Sequence, residues 1–200
     1  MSYSHQTVGS GSRAARRTFE FGRTHVVRPK GKHQATIVWL HGLGDNGSRC
    51  SVVNTHRQSK VKQIKWICPT APTRPVAILG GFPCTAWFDV GELSDDGPED
   101  WEGLDASAAH IANLLSTEPA DVKVGIGGFS MGAAVALYSA TCCALGRYGN
   151  GIPYYVNLRA VVGLSGWLPG SRLGHYTVPK EMDEVCNWLT ARLGLEGSRA

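Results

Sequence analysis

Val122 to Ala134, reading VKVGIGGFSMGAA, decides the fold. A β-prone run ends in two glycines, Ser130 follows one residue later, and small helix-forming residues continue the chain at once. The stretch reads as a strand, a sharp turn and a helix. Within it, Gly128-Phe129-Ser130-Met131-Gly132 fits G-x-S-x-G, in which tight backbone geometry at the serine demands glycine two residues to either side. A Cβ at either place would crowd the turn. The turn lifts Ser130 Oγ clear of the sheet, and the new helix aims its unpaired N–H groups at the same spot. With 25 glycines in 200 residues the bare pentapeptide is a weak signal. Its strand-to-helix setting is what marks Ser130 as a nucleophile.

Upstream, Thr18 to Val27 and Gln34 to Leu40 are β-rich and separated by the turn signal Arg28-Pro29-Lys30-Gly31-Lys32, which predicts an opening antiparallel hairpin. The run ATIVWL leads directly into His41-Gly42-Leu43-Gly44-Asp45. Such a loop either turns backbone N–H groups toward an oxyanion or is simply a tight strand exit. Asn46 to Gln63 shows neither helical nor strand periodicity. Ile64 to Cys68 reads as a short buried strand stopped by Pro69, and Pro72 and Pro75 keep the next stretch extended. Ile78 to Asp89 is an apolar loop, read either as core or as a flexible flap beside a greasy substrate site; its glycines and proline argue against a regular element.

Leu104, Ala108, Ile111 and Leu115 recur at helical spacing, and Pro119 closes that amphipathic helix. His110 lies off the stripe and is expected to be exposed and without chemistry. Leu158 to Leu164 is a further buried strand, ending at Ser165-Gly166-Trp167. A last helix begins near Pro179, and His175 sits just ahead of it. Alternating buried strands and amphipathic helices predict an α/β fold: a mostly parallel sheet with helices on both faces and the site on loops at the strands' carboxyl ends. Ser130, the His41 to Asp45 loop and His175 all occupy such positions.

Composition fits one globular domain over residues 18–197, preceded by a basic, acid-free segment 1–17 that reads as a disordered tail. The longest apolar runs fall short of the ~20 residues that span a bilayer, so no integral membrane segment is expected. Six cysteines show no C-x-x-C pair, which predicts reduced thiols, a cytoplasmic setting and no zinc or other metal site. The net charge of +4 is uneven: no acid occurs between Asp45 and Asp89, while Arg49, Arg57, Lys60, Lys62, Lys65 and Arg74 do. Without a stacking motif or recognition helix, this reads as a solvated basic face, not a nucleic-acid site.

Six stretches, HGLGDNG, PTAPTRPV, GGFPCTAWFD, GFSMGAA, LSGWLP and GHYTVP, occur in an order that resembles the acyl-protein thioesterase and carboxylesterase family of α/β-hydrolases. The likeness covers most of Phe19 to Gly197. It implies Ser130 as nucleophile, His175 as general base, and an oxyanion hole from the backbone N–H groups of Leu43 and Met131. It implies that the loop holding Ile78, Leu79, Phe82, Trp87 and Phe88 borders a hydrophobic acyl channel. It further implies no cofactor, and as substrates S-acylated proteins, small acyl esters or lysophospholipids, met with transient contact at a membrane surface.

One member of the expected triad is missing. The order in this fold is Ser, then Asp or Glu, then His, yet no Asp or Glu occurs from Met131 to Gly174. LSGWLPGSR passes directly into LGHYTVP, so one late strand-helix-strand portion is lacking, roughly 30 or more residues for a βαβ unit. Asp45, Asp89 and Asp105 precede the nucleophile and Asp183 falls within the last helix, so chain order argues against each as a substitute. The shortening predicts an apolar sheet edge at Leu158 to Leu164 and impaired turnover. A catalytically inactive acyl-binding or regulatory protein is the alternative.

Overall fold

The computed structural model describes residues 18–49, 62–91 and 99–170. Its elements in chain order are β1 (His25–Val27), β2 (Ala35–Leu40), β3 (Ile64–Cys68), β4 (Thr73–Val76), β5 (Phe82–Thr85), α1 (Trp101–Ser116), β6 (Lys123–Phe129), α2 (Met131–Leu145) and β7 (Ala160–Leu164). Five strands form one sheet in the order β1-β3-β2-β6-β7. All its pairings are parallel except that of β1 with β3.

The centre of the sheet is β2, whose six residues ATIVWL are all buried, the continuous apolar run of a parallel strand covered on both faces. Val38 and Leu40 point into one cluster with Ile67, Ile126 and the inward residues of both helices. Ile37 and Trp39 point the other way, toward Trp66, Ala160 and Val162. The stripe Leu104, Ala108, Ile111 and Leu115 is buried as its spacing predicts. Asp100 caps α1 by accepting from the Gly103 N–H at 3.0 Å, which satisfies one of the helix's orphan donors. Glycine at φ 69° ends α2 at Gly146.

Three expectations are corrected here. The first two β segments do not pair with each other: β1 lies antiparallel on β3, with Val26 opposite Ile67, and β3 stands between β1 and β2. Both edges of β2 are taken by longer apolar parallel partners, which leaves the three-residue β1 the outer edge. The Arg28 to Lys32 turn instead rests on the approach to β3, through the Gly31 N–H to the Lys62 carbonyl at 2.9 Å. The apolar stretch Ile78 to Asp89 does contain a regular element: Phe82–Thr85 is β5, which forms an antiparallel hairpin with β4. Its prolines stand opposite one another, Pro75 against Pro83, so the rung that lacks N–H donors falls on both strands at once. His110 is half-buried, not exposed. Its ring stacks on Phe21 with centroids 3.8 Å apart, and burial holds its pKa below the ordinary value.

Two of the basic residues also have partners within the fold. Arg74 pairs with Asp100 at 2.7 Å and lies over the Phe19 ring, and Lys65 pairs with Glu118. The Glu118 side chain is 2% exposed. It accepts from Thr36 Oγ1 at 2.6 Å and lies 3.7 Å from His33 Nε2, so one carboxylate ties the chain after α1 to β2 and β3. Burial pushes its pKa up, but the hydrogen bonds from Lys65 and Thr36 and the nearby positive charges outweigh this and hold it below 4.5. A depressed carboxyl pKa stabilises the fold above the unfolded value, and the contribution is lost as pH falls through the folded value. Glu118→Gln is therefore expected to cost about 1–3 kcal/mol at neutral pH. Denaturant midpoints should show that loss shrinking as the solution is acidified.

At its far edge the described sheet ends in β7, with no strand on the outer side among the described residues. Ala160, Val162 and Leu164 are nonetheless buried on its inward face. Cys84, Cys142 and Cys143 are free thiols. No described helix is long and apolar enough to cross a membrane.

Candidate active site

The junction of β6 and α2 forms the turn read from Val122 to Ala134. Ser130 stands at φ 53°, ψ −121°, a backbone conformation that costs a side-chain-bearing residue about 1–3 kcal/mol. Neighbouring backbone holds it there. The Ser130 N–H donates to the Leu164 carbonyl at the end of β7 at 2.8 Å, and its own carbonyl accepts from Ala133 and Ala134 at 2.9 and 3.1 Å. The flanking glycines allow backbone to meet backbone. A Cβ on Gly128 would stand 2.4 Å from the Gly132 carbonyl, and one on Gly132 would stand 2.4 Å from the Leu40 carbonyl oxygen. The exit of β2, the turn and the first turn of α2 are thus in direct backbone contact.

The His41 to Asp45 loop lies against this turn. A Cβ built on Gly42 would be 3.5 Å from Ser130 Cβ. The loop is fastened on its far side to β5, by the Gly44 N–H to the Thr85 carbonyl at 2.9 Å and by Thr85 Oγ1 to the Asp45 carbonyl at 2.6 Å. Among the described residues, neither the Leu43 nor the Met131 N–H faces a protein acceptor. Leu43 lies in the loop against this turn and Met131 directly follows the half-buried Ser130, so both of these N–H groups belong to segments that meet there.

His41 is buried. Burial lowers its pKa, opposed by the Gly42 carbonyl and by the charge of Asp45. Its Nδ1 lies 2.7 Å from the Gly42 carbonyl oxygen, and its Nε2 accepts from the Ala71 N–H at 3.0 Å. The glycine-rich pattern pointed to the loop but gave this side chain no part in it.

The five channel candidates separate into two sets. Ile78, Leu79 and Phe82 are exposed around the tip of the β4–β5 hairpin, Phe82 at 68%. Trp87 and Phe88 are instead core residues, both fully buried. The indole of Trp87 donates to the His41 carbonyl at 2.9 Å, and Phe88 packs edge-on to Trp167. The two rings belong to the core cluster that also holds Val38 and Leu40 of β2 and Leu104 and Ala108 of α1. His175 and Asp183 lie outside the described residues.

Sequence reasoning missed the part played by Asp105. Its carboxylate accepts from the Tyr138 hydroxyl at 2.5 Å and from the N–H groups of Gly149 and Asn150 at 3.0 and 2.9 Å, locking α1, α2 and the 147–153 loop together. A carboxylate beside the buried positions 104 and 108 was the available signal. Asp45 and Asp89 likewise accept from backbone, at Asn46 and Ala77. A surface groove of about 850 Å³ runs along Phe19, Trp101, Tyr148 and Ile152. It shares no lining residue with the Ser130 turn.

The model of the phospholipase/carboxylesterase family matches residues 22–175. Acyl-protein thioesterase 1 of Schizosaccharomyces pombe is 36% identical over 149 residues, 72% of this chain and 61% of that protein. Acyl-protein thioesterase 1 homolog 1 of Dictyostelium discoideum is 35% identical over 143 residues, 68% of this chain and 59% of that protein. The chain thus spans less than two thirds of the length of these curated relatives. Among solved structures, Zea mays acyl-protein thioesterase 2 superposes with a TM-score of 0.74 at 53% identity, over 86% of this chain and 100% of that one.

Proposed function

Because the chain belongs to the phospholipase/carboxylesterase family, we propose that it is a serine hydrolase of acyl esters and thioesters acting through Ser130. The observation that carries this reading is the strained Ser130 turn with the unpaired N–H groups of Leu43 and Met131 beside it. The similarity to acyl-protein thioesterases makes S-acylated cysteines of proteins the favoured substrate class, with small esters and lysophospholipids as further acyl donors. The exposed side chains of Ile78, Leu79 and Phe82 offer apolar contact for an acyl chain or for the membrane surface from which it is drawn. A cytoplasmic setting fits free thiols at Cys84, Cys142 and Cys143.

In this reading Ser130 Oγ attacks the acyl carbonyl carbon while His175 takes its proton. The carbonyl oxygen becomes an oxyanion between the Leu43 and Met131 N–H groups, each donor being worth about 3–4 kcal/mol in such sites. Collapse breaks the bond to sulfur or oxygen, and His175 returns the proton to that leaving group. Water then repeats the sequence on the acyl-serine and frees the acid.

A fluorophosphonate probe tests the proposal. Mass spectrometry is expected to place the adduct on Ser130 of the intact chain, with no adduct in Ser130→Ala or His175→Ala variants whose circular dichroism is unchanged. The absence of any acid between Met131 and Gly174 favours a second reading, a non-catalytic acyl-binding protein. Folded but unlabelled wild-type protein would select it.

A further inference from the structure

We propose that His41 is a positioning residue that sets the direction of the Leu43 N–H, one of the two oxyanion donors. The inference rests on the serine hydrolase reading of Ser130. The Nε2 of His41 accepts from the Ala71 N–H at 3.0 Å, so that nitrogen carries no proton and in the neutral ring Nδ1 does. The Nδ1–H then donates to the Gly42 carbonyl at 2.7 Å. In a planar trans peptide the C=O and the following N–H point in opposite directions. Holding the Gly42 oxygen against the imidazole therefore turns the Leu43 N–H away from it, where no described acceptor meets it.

The ring is itself immobilised. It is 6% exposed and packs against the Trp87 indole at 5.0 Å between centroids, while the His41 carbonyl is held by Trp87 Nε1. The Asp45 N–H shares the Gly42 oxygen at 3.3 Å, so two donors fix this one carbonyl. The charged group acting on the imidazole is Asp45 of the same loop. Ala71 and Trp87, which bond to His41 from other segments, do not titrate, and the first turn of α2 carries no acid. A proton added at Nε2 would set two donors face to face across the Ala71 bond, so acidification should release the loop.

Two variants separate positioning from packing. His41→Asn keeps an amide N–H near the place of Nδ1 and can still hold the Gly42 carbonyl, whereas His41→Gln keeps a polar group near the place of Nε2 and can hold only Ala71. The saturating rate of Ser130 phosphonylation is expected to fall about 10²-fold in His41→Gln, the effect of one misplaced oxyanion donor, and to stay within about tenfold of wild type in His41→Asn. The half-saturating probe concentration should not change in either. Equal rates in all three proteins, or a faster His41→Gln, would overturn the assignment. Hydrogen exchange in the same samples needs no chemistry: the Asp45 amide should exchange faster in His41→Gln than in His41→Asn or wild type, and unchanged exchange sinks the proposal. Wild-type protein that exchanges as expected yet takes no label would overturn the hydrolase reading, and with it any catalytic purpose for the bond.

Discussion

Steady-state hydrolysis of a long-chain acyl thioester by this chain is expected to run about 10⁴-fold below that of maize acyl-protein thioesterase 2 assayed beside it, the effect of removing the acid in the serine-protease template. The cause is the base, not the nucleophile. An imidazole without a carboxylate partner is free to adopt the wrong tautomer, and the imidazolium formed during attack loses its counter-charge. Each of the three described aspartates weighed above as a substitute is engaged. Asp105 is engaged by Tyr138, Gly149 and Asn150, Asp45 by Asn46, and Asp89 by Ala77. The deficit should appear in kcat, because Ile78, Leu79 and Phe82 remain available to bind the acyl chain. A rate within tenfold of the maize enzyme would mean that some carboxylate reaches the base after all.

The second large effect is structural. Gly132→Ala should destabilise the fold by more than about 3 kcal/mol, beyond the usual range for overpacking, and abolish labelling of Ser130. Its new Cβ would stand 2.4 Å from the Leu40 carbonyl oxygen and 2.6 Å from that of His41. These are backbone atoms of the central strand and the loop that follows it. Relief would have to separate α2 from β2, and with it Met131 from Leu43. Gly80→Ala is the control: unlike the helical Gly132 that position is left-handed, at φ 64°, but its Cβ would meet nothing within 4 Å. It should cost about 1–2 kcal/mol, the penalty of the backbone conformation alone. Urea midpoints for the two variants decide the matter, and similar values would show that crowding at the turn has been overstated.

How far the sequence could be read followed from the range of the interactions involved. The turn at Ser130 was readable because its glycines, strand and helix are contiguous. The α1 stripe and the buried run ATIVWL were readable because periodicity is local. The partner of β1 was not, since His25 to Val27 pairs across some forty residues with β3, and only the occupancy of both β2 edges decides it. The β4–β5 hairpin was hidden by its own prolines: read singly, each argues against a strand, but set opposite each other they remove a single rung. The burial of Trp87 and Phe88 was not legible for a related reason. An apolar stretch does not reveal which of its side chains turn inward, and here the residues up to Phe82 face out while the last two rings go into the core. Ala71 comes to His41, and Tyr138, Gly149 and Asn150 to Asp105, from at least 30 residues away, so no spacing rule could give them these partners.

The conformation of Ser130 has one more consequence. The pentapeptide does not hold φ 53° by itself; the carbonyl of Leu164 and the exit of β2 meet it from two other parts of the chain. A nascent or heat-relaxed copy therefore carries an ordinary serine, no more acylable than any other. In the hydrolase reading, fluorophosphonate labelling of Ser130 should therefore be lost when the sheet melts, ahead of any chemical damage to the side chain.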